Sequence, residues 1–293
     1  MPDFRAYAPQ TPAGAAEIRL GADESHHLVT VNRCGRGDPV VAFDGHGREW
    51  LTECTDPSKS AAVLRVKESR PAATRAFSIT LAQALPKGST MDDIIRQATE
   101  VGAARIVPLL SERTQVHLDG DRADKKVEKW RTTAIEAAKQ CGNPWLPEIT
   151  PIMKFDEFLR WSPLSEPQRG LRDSSRVRSS EQQDIAAIGL RQDYGPQAGV
   201  GVETDAHPLR LVASLHAGTT TLKKALATFS HKHGHAPRST LWLIGPEGDF
   251  SPSEMTAAVM AGFVPVTLGP LVLRSDTAAI YALSVLSNEL QGS

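Results

Sequence analysis

The residues best suited to chemistry gather near the end of the chain, in two glycine-containing loops that each follow an apolar run. The first, Gly245-Pro246-Glu247-Gly248-Asp249-Phe250, follows Leu241-Trp242-Leu243-Ile244. Glycines let backbone approach a ligand closely, and α/β sheets bind ligands beyond the carboxyl ends of their parallel strands. A phosphate loop needs a lysine followed by Ser or Thr, whereas this loop carries Glu247 and Asp249, whose charges repel a triphosphate. A cofactor with an adenosine and a positive centre suits those charges better; a plain structural turn is the other reading. The second loop, residues 268–278, contains Gly269, Arg274, Ser275 and Asp276 and leads into an apolar-faced terminal helix. Together the two loops can form one pocket. Ser275 is the expected helix cap, with Asp276 against the positive helix end. Arg274 reads equally as a surface residue at that boundary or as a contact to an anionic substrate.

The elements that must position these loops alternate between strands and amphipathic helices. Phe77 to Ala82 is strand-like, and Ser89 with Asp92 forms a capping signature for a helix with Met91, Ile94, Ile95, Ala98 and Val101 on one face. Gly102 is placed to stop it. Ile106 to Leu110 reads as the next strand, weakened by Pro108, which has no amide hydrogen for a ladder. The following helix carries the stripe Val127, Trp130, Ala134, Ala137 and Cys141. Leu209 to Ala213, Leu241 to Ile244 and Val264 to Leu268 complete the strands, and Ser251-Pro252-Ser253-Glu254 marks a helix start by a reciprocal cap. Such a rhythm implies a mainly parallel sheet covered on both faces. Before residue 72 the pattern differs: short β runs such as 39–43 and 61–66 are separated by turns, with Asp44-Gly45 the strongest hairpin signal. A small β-barrel over residues 1–72 satisfies it. The polar stretch at about 165–208 breaks the later rhythm and reads as a solvated, flexible insertion, ahead of the alternative of a catalytic lid, within a second domain of 73–293.

Composition bounds the function classes. Two domains are the expectation for 293 residues, and 40% hydrophobic with 23% charged residues is ordinary for a globular chain. A net charge of -1 excludes a globally basic nucleic-acid binder, so a basic surface must be local. Arg33, Arg36, Lys87, Arg96 and Arg113 are the candidates for RNA contact, each with an ordinary solvated surface role as its counterpart reading. Three cysteines without ligand spacing support neither a disulfide framework nor a zinc site, and reduced cytoplasmic thiols fit better. His231, His233 and His235 alternate in a polar segment, but no acidic or cysteine neighbours support a metal, so none is expected; a mobile exposed loop is the expectation there. His26-His27 reads as a strand or turn element. No apolar run reaches the length of a membrane span.

The strings IGPEGDFSPSE at 244–254 and LGPLVLRSDTAAIYAL at 268–283 resemble the ribosomal RNA small-subunit methyltransferase E family of the SPOUT superfamily. HHLVTVNRCGRGD at 26–38, VAFDG at 41–45, the run 87–114 and KWRTTAIEAAKQCG at 129–142 extend the resemblance over nearly the whole chain outside the insertion. Asp276 and Ser275 stand where the family usually has Glu and Thr, Asn143 replaces an Arg, and Asn32 replaces a Leu. The resemblance implies a PUA-like RNA-binding domain, then an α/β domain whose parallel sheet is tied in a trefoil knot. It implies an S-adenosylmethionine pocket lined by Leu215, His216, Gly245, Gly248, Leu268, Gly269, Leu273 and Ser275, in a homodimer. It further implies methylation of uridine N3 in small-subunit ribosomal RNA, free or within the small ribosomal subunit. Neutral N3 is a poor nucleophile, so the site must assist deprotonation or stabilise charge on the flanking carbonyls. Arg274 is the catalytic candidate for that charge, and Glu247 is more readily an organiser of backbone than a base. A noncatalytic RNA-binding assembly factor, a nucleotide-dependent enzyme and a methyltransferase of another RNA remain the competing classes.

Overall fold

A computed structural model describes residues 4–71, 75–115, 120–161, 208–215 and 218–291. Two sheets organise it. The first contains β1 (Phe4–Tyr7), β2 (Glu17–Arg19), β3 (Pro39–Phe43), β4 (Glu49–Asp56) and β5 (Val63–Arg70) in the order β1-β3-β4-β5-β2, with α1 (Ala22–His26) and a π-turn (His27–Val31) after β2. Only the β1–β3 pairing is parallel. The Asp44-Gly45 hairpin forms as expected: Gly45 has φ 82°, and Asp44 Oδ1 accepts from the amides of His46 (2.7 Å) and Arg48 (3.1 Å). Along β4, Trp50, Thr52 and Cys54 alternate inward onto Leu28, Cys34 and Leu64. His26 and His27 lie in α1 and the π-turn, helical backbone rather than the expected strand or turn.

The second sheet is wholly parallel. Its elements are β6 (Ser78–Ala84), α2 (Thr90–Glu100), β7 (Arg105–Leu110), α3 (Gly120–Cys141), β8 (Glu148–Ile149), β9 (Met153–Lys154), α4 (Phe155–Arg160), β10 (Leu209–Ala213), α5 (Leu222–His233), β11 (Ser239–Ile244), α6 (Pro252–Met260), β12 (Val264–Val266) and α7 (Ser275–Gln291). The order is β12-β10-β11-β6-β7, with β8 and β9 both along β7. One face packs α2, α3, α5 and α7 through Ile94, Trp130, Phe229 and Leu283; the other packs α4 and α6 through Phe158 and Ala258. This is the expected two-sided parallel sheet.

Pro108 lies inside β7 after all. Thr150 N donates to Ile106 O while Leu85 N donates to Leu109 O, so even-numbered residues of β7 face β8 and β9. The missing donor of Pro108 falls on that side, in the gap where β8 has ended and β9 has not begun, so no ladder bond is lost. At the other edge, Val266 pairs with Ala213 on one side and Thr220 on the other. β12 thus passes between two stretches of one short segment, 209–220.

Three further sequence expectations are corrected. Ser89 makes no side-chain cap, and Asp92 instead accepts from Trp130 Nε1 (2.9 Å) and Lys129, tying α2 to α3. Cys141 is exposed at the end of α3, where the stripe has rotated away from the sheet. His231 and His233 occupy the last turn of α5, with His233 stacked on Phe229 at 4.3 Å, so this is ordered helix rather than loop. No cluster of three metal-ligating side chains occurs among the described residues, and none of their helices is long and apolar enough to cross a membrane. The insertion at 165–208 lies outside the described residues, Pro208 excepted.

The two sheets meet at a built junction. Lys139 Nζ, nearly buried, contacts Glu24 Oε2 (2.9 Å), Glu136 Oε1 (2.8 Å) and His27 Nδ1 (3.1 Å). Nearby, Gly47 N donates to Pro144 O (3.0 Å), Leu146 N to Gly45 O (2.9 Å), and Arg75 lies 4.7 Å from the Trp145 ring. Asn143 is the hinge pin here: its amide donates to Thr99 O (3.1 Å) and accepts from Trp145 N (3.0 Å).

Candidate functional site

The site forms where the carboxyl ends of β7, β6, β11, β10 and β12 lie side by side. The loop after β11 is shaped by its own residues: Asp249, at φ 60°, donates its amide to Pro246 O (2.9 Å) and accepts from Phe250 N (2.8 Å). A Cβ at Gly245 would meet Asp249 Oδ1 at 3.2 Å, a tight approach that the absence of a side chain relieves. Phe250 then anchors the loop in the core beside Phe155, with centroids 5.2 Å apart. The Ser251 cap is as read: Ser251 Oγ accepts from Glu254 N (3.2 Å), and Ser251 N donates to Glu254 Oε2 (2.9 Å).

Neighbouring loops fasten to this one. Glu254 Oε1 accepts from Glu112 N (2.7 Å), and Arg113 Nη1 donates to Gly248 O (2.6 Å), so the loop after β7 is held against the glycine loop. Glu247 Oε1 accepts from Lys87 N (2.9 Å), which holds the loop after β6. That bond gives Glu247 the organising role. The second glycine loop joins through Ser275, which is buried at the first turn of α7. Its hydroxyl does not cap the helix. It donates to Gly245 O (2.9 Å) and accepts from Gln83 Nε2 (2.9 Å), a fully buried amide at the end of β6 that also donates to Ala84 O (2.8 Å).

Of the sequence candidates, the structure joins Gly245, Gly248 and Ser275 directly to this loop cluster. Leu215 follows β10, and Leu268 and Gly269 follow β12, beside the same strand ends; Gly269 takes φ 122°, and Leu215 is 56% exposed. Leu273 is half-buried just before α7. His216 lies outside the described residues. Arg274 is exposed next to Ser275, and its carbonyl accepts from Ala278 N (2.8 Å). Among the basic candidates, Lys87 and Arg113 belong to the cluster. Arg33, at φ 62°, and Arg36 lie exposed between the π-turn and β3, while Arg96 on α2 pairs with Asp93 at 2.7 Å. Gln83, Glu112 and the second bond of Glu254 were missed, because their partners lie far away in sequence.

The model of an RNA methyltransferase domain matches residues 73–169 and 202–287, and that of an RNA methyltransferase PUA domain matches residues 20–67. Ribosomal RNA small subunit methyltransferase E of Synechocystis is 29% identical over 276 residues, covering 94% of this chain and 74% of that protein. The Bacillus subtilis protein of the same name is 27% identical, covering 94% and 92%. A structure from Legionella pneumophila assigned as a methyltransferase, in complex with bound SAM, superposes with a TM-score of 0.74 at 26% identity, covering 98% of this chain and 97% of that one.

Proposed function

This chain belongs to the RNA methyltransferase domain family, and we propose that within it the protein transfers a methyl group from S-adenosylmethionine to N3 of a uridine in small-subunit ribosomal RNA. The observation that carries the reading is the Ser275 to Gly245 bond, which draws both glycine loops into one site at the strand ends. The small-subunit relatives and the SAM-bound neighbour support the target and the donor.

The residues present fit that donor. Gly269 has no atom within 4 Å of a Cβ position, Leu215 and Leu271 expose apolar surface, and the loop carboxylates favour a cation over a polyphosphate. Leu215, Gly245, Gly248, Leu268, Gly269 and Leu273 would hold it, with Ser275 fastening the loops; the resemblance adds His216, which lies outside the described residues. When bound, it supplies an electrophilic methyl group on a sulfonium sulfur. The chain's part is orientation and charge. A fixed near-attack geometry supplies much of the rate for a displacement. The exposed guanidinium of Arg274 is the group available to stabilise negative charge spread over uracil N3 and its flanking carbonyls. Glu247, occupied by the Lys87 amide, positions backbone.

The same reading assigns residues 1–72 as a PUA-like RNA-binding domain and 73–293 as the catalytic domain. Passage of β12 between β10 and Thr220 supports a trefoil knot there. Exposed Leu271, Val272 and Tyr281 support a homodimer across this face. RNA contact falls to Arg33, Arg36, Lys87, Arg96 and Arg113, and the compartment is the cytoplasm. Calorimetric titration with S-adenosylmethionine, with radiolabel transfer to small ribosomal subunits, tests the reading. Saturable binding and label in the RNA support it; binding without transfer would move the target to another RNA, and absence of both would leave a noncatalytic RNA-binding protein.

A further inference from the structure

Gln83 stands apart from everything around it. It is a fully buried amide in an inner strand of a parallel sheet, and its neighbouring positions, Leu81, Ala82 and Ala84, are apolar. Burying an amide is costly unless its hydrogen bonds are replaced. Both Nε2 hydrogens are used, one on Ala84 O and one on Ser275 Oγ, while Oε1 has no partner among the described residues. Ser275 in turn can donate its single hydroxyl proton only once, and it does so to Gly245 O. The direction of the chain is therefore fixed: Gln83 donates to Ser275, which donates to Gly245. Three segments that are remote in sequence, separated by 192 and 30 positions, meet in one line of buried polar atoms.

We propose that Gln83 is a positioning residue of the methyl-donor site, holding the first turn of α7 on the glycine loop after β11 by way of Ser275. This rests on the functional reading above and goes beyond it, since Gln83 touches neither glycine loop except through that hydroxyl. Its amide locks the acceptor side of Ser275, so that the hydroxyl is left with Gly245 as its target. Without it, Ser275 can rotate away and the two loops lose their common register, which weakens donor binding more than the transfer step.

The test titrates the full-length protein calorimetrically with S-adenosylhomocysteine, an unreactive probe, in wild type, Gln83→Leu, Ser275→Ala, Ser275→Thr and the Gln83→Leu/Ser275→Ala double variant, alongside donor KM and kcat. Gln83→Leu and Ser275→Ala should each weaken binding about tenfold, equivalent to one lost buried bond. The double variant should lose no more than either, because all three break one relay. Ser275→Thr, which keeps a hydroxyl, should bind within about twofold of wild type, and in Gln83→Leu the donor KM should rise by a larger factor than kcat falls. Folded Gln83→Leu protein with wild-type affinity, or losses that add in the double variant, would overturn the proposal. Should Gln83→Leu lose its cooperative melt, the Ser275 pair decides: equal affinity in Ala and Thr variants overturns the relay. Wild type that binds no probe overturns the functional reading, and the relay with it.

Discussion

The guanidinium of Arg113 lies 2.6 Å from the carbonyl oxygen of Gly248, so a residue of the loop after β7 braces the turn that follows β11. A Cβ at Gly248 would sit 3.5 Å from Arg113 Cδ, in ordinary contact. The bond is charge-assisted, which makes it stronger than one between neutral groups.

Arg113→Ala should weaken donor binding a few-fold, on the order of 0.5–1.5 kcal/mol for one exposed bond. Titration with S-adenosylmethionine checks it. If donor affinity stays unchanged while the salt dependence of RNA binding falls by about one ion, Arg113 is a phosphate contact alone.

Arg274→Ala should reduce methyl transfer by about 10²–10³-fold, the usual effect of removing one donor to developing negative charge. Donor affinity should change far less, because no bond of the exposed guanidinium holds either loop. Single-turnover rates and calorimetry on the same preparation separate the two; wild-type turnover would remove Arg274 from the chemistry.

The junction between the sheets is tight at Gly47. A Cβ there would lie 2.2 Å from Trp145 Cε2, and the backbone holds φ 91°. Gly47→Ala should cost about 2–3 kcal/mol through strain and displacement of the indole. Calorimetry should show a lower melting temperature than wild type, with the melt broadening or splitting as the two sheets uncouple. An unchanged melt would mean that Trp145 moves freely.

Thiol chemistry gives a fourth prediction. Burial, reinforced by the neighbouring Cys54, pushes the Cys34 thiol up to about 12, and burial also raises Cys54, whereas Cys141 is exposed. A chromogenic disulfide reagent at pH 8 should react rapidly with one thiol and with all three only after denaturation. The unfolded chain loses its Cys34 proton near pH 9 while the folded chain retains it, so stability is full below pH 9 and declines as pH rises toward 12. Replacing Cys34 with Ala should flatten that decline in a pH series of denaturation curves.

How much of this was readable in the sequence depends on distance along the chain. The Ser251–Glu254 cap and the Asp44-Gly45 hairpin are local, and both formed as their residues dictate. The apolar face of α2 was legible from its spacing for the same reason. The other role of each polar residue was not. Glu254 also accepts from Glu112, 142 positions away, and Asp92 leaves its helix start for Trp130 on α3. Gln83 lies in a run whose apolar residues read simply as buried strand, and its partner is 192 positions distant. Pro108 misled for a topological reason, since nothing in the sequence says which edge of β7 faces the break between β8 and β9.

The most direct measurement is nucleoside analysis of small-subunit ribosomal RNA from cells lacking this protein, before and after incubation of their purified small subunits with the enzyme and labelled S-adenosylmethionine. The account predicts label in 3-methyluridine at one site, absent without enzyme. Label in any other nucleoside, or none from a preparation that binds the donor, would contradict it.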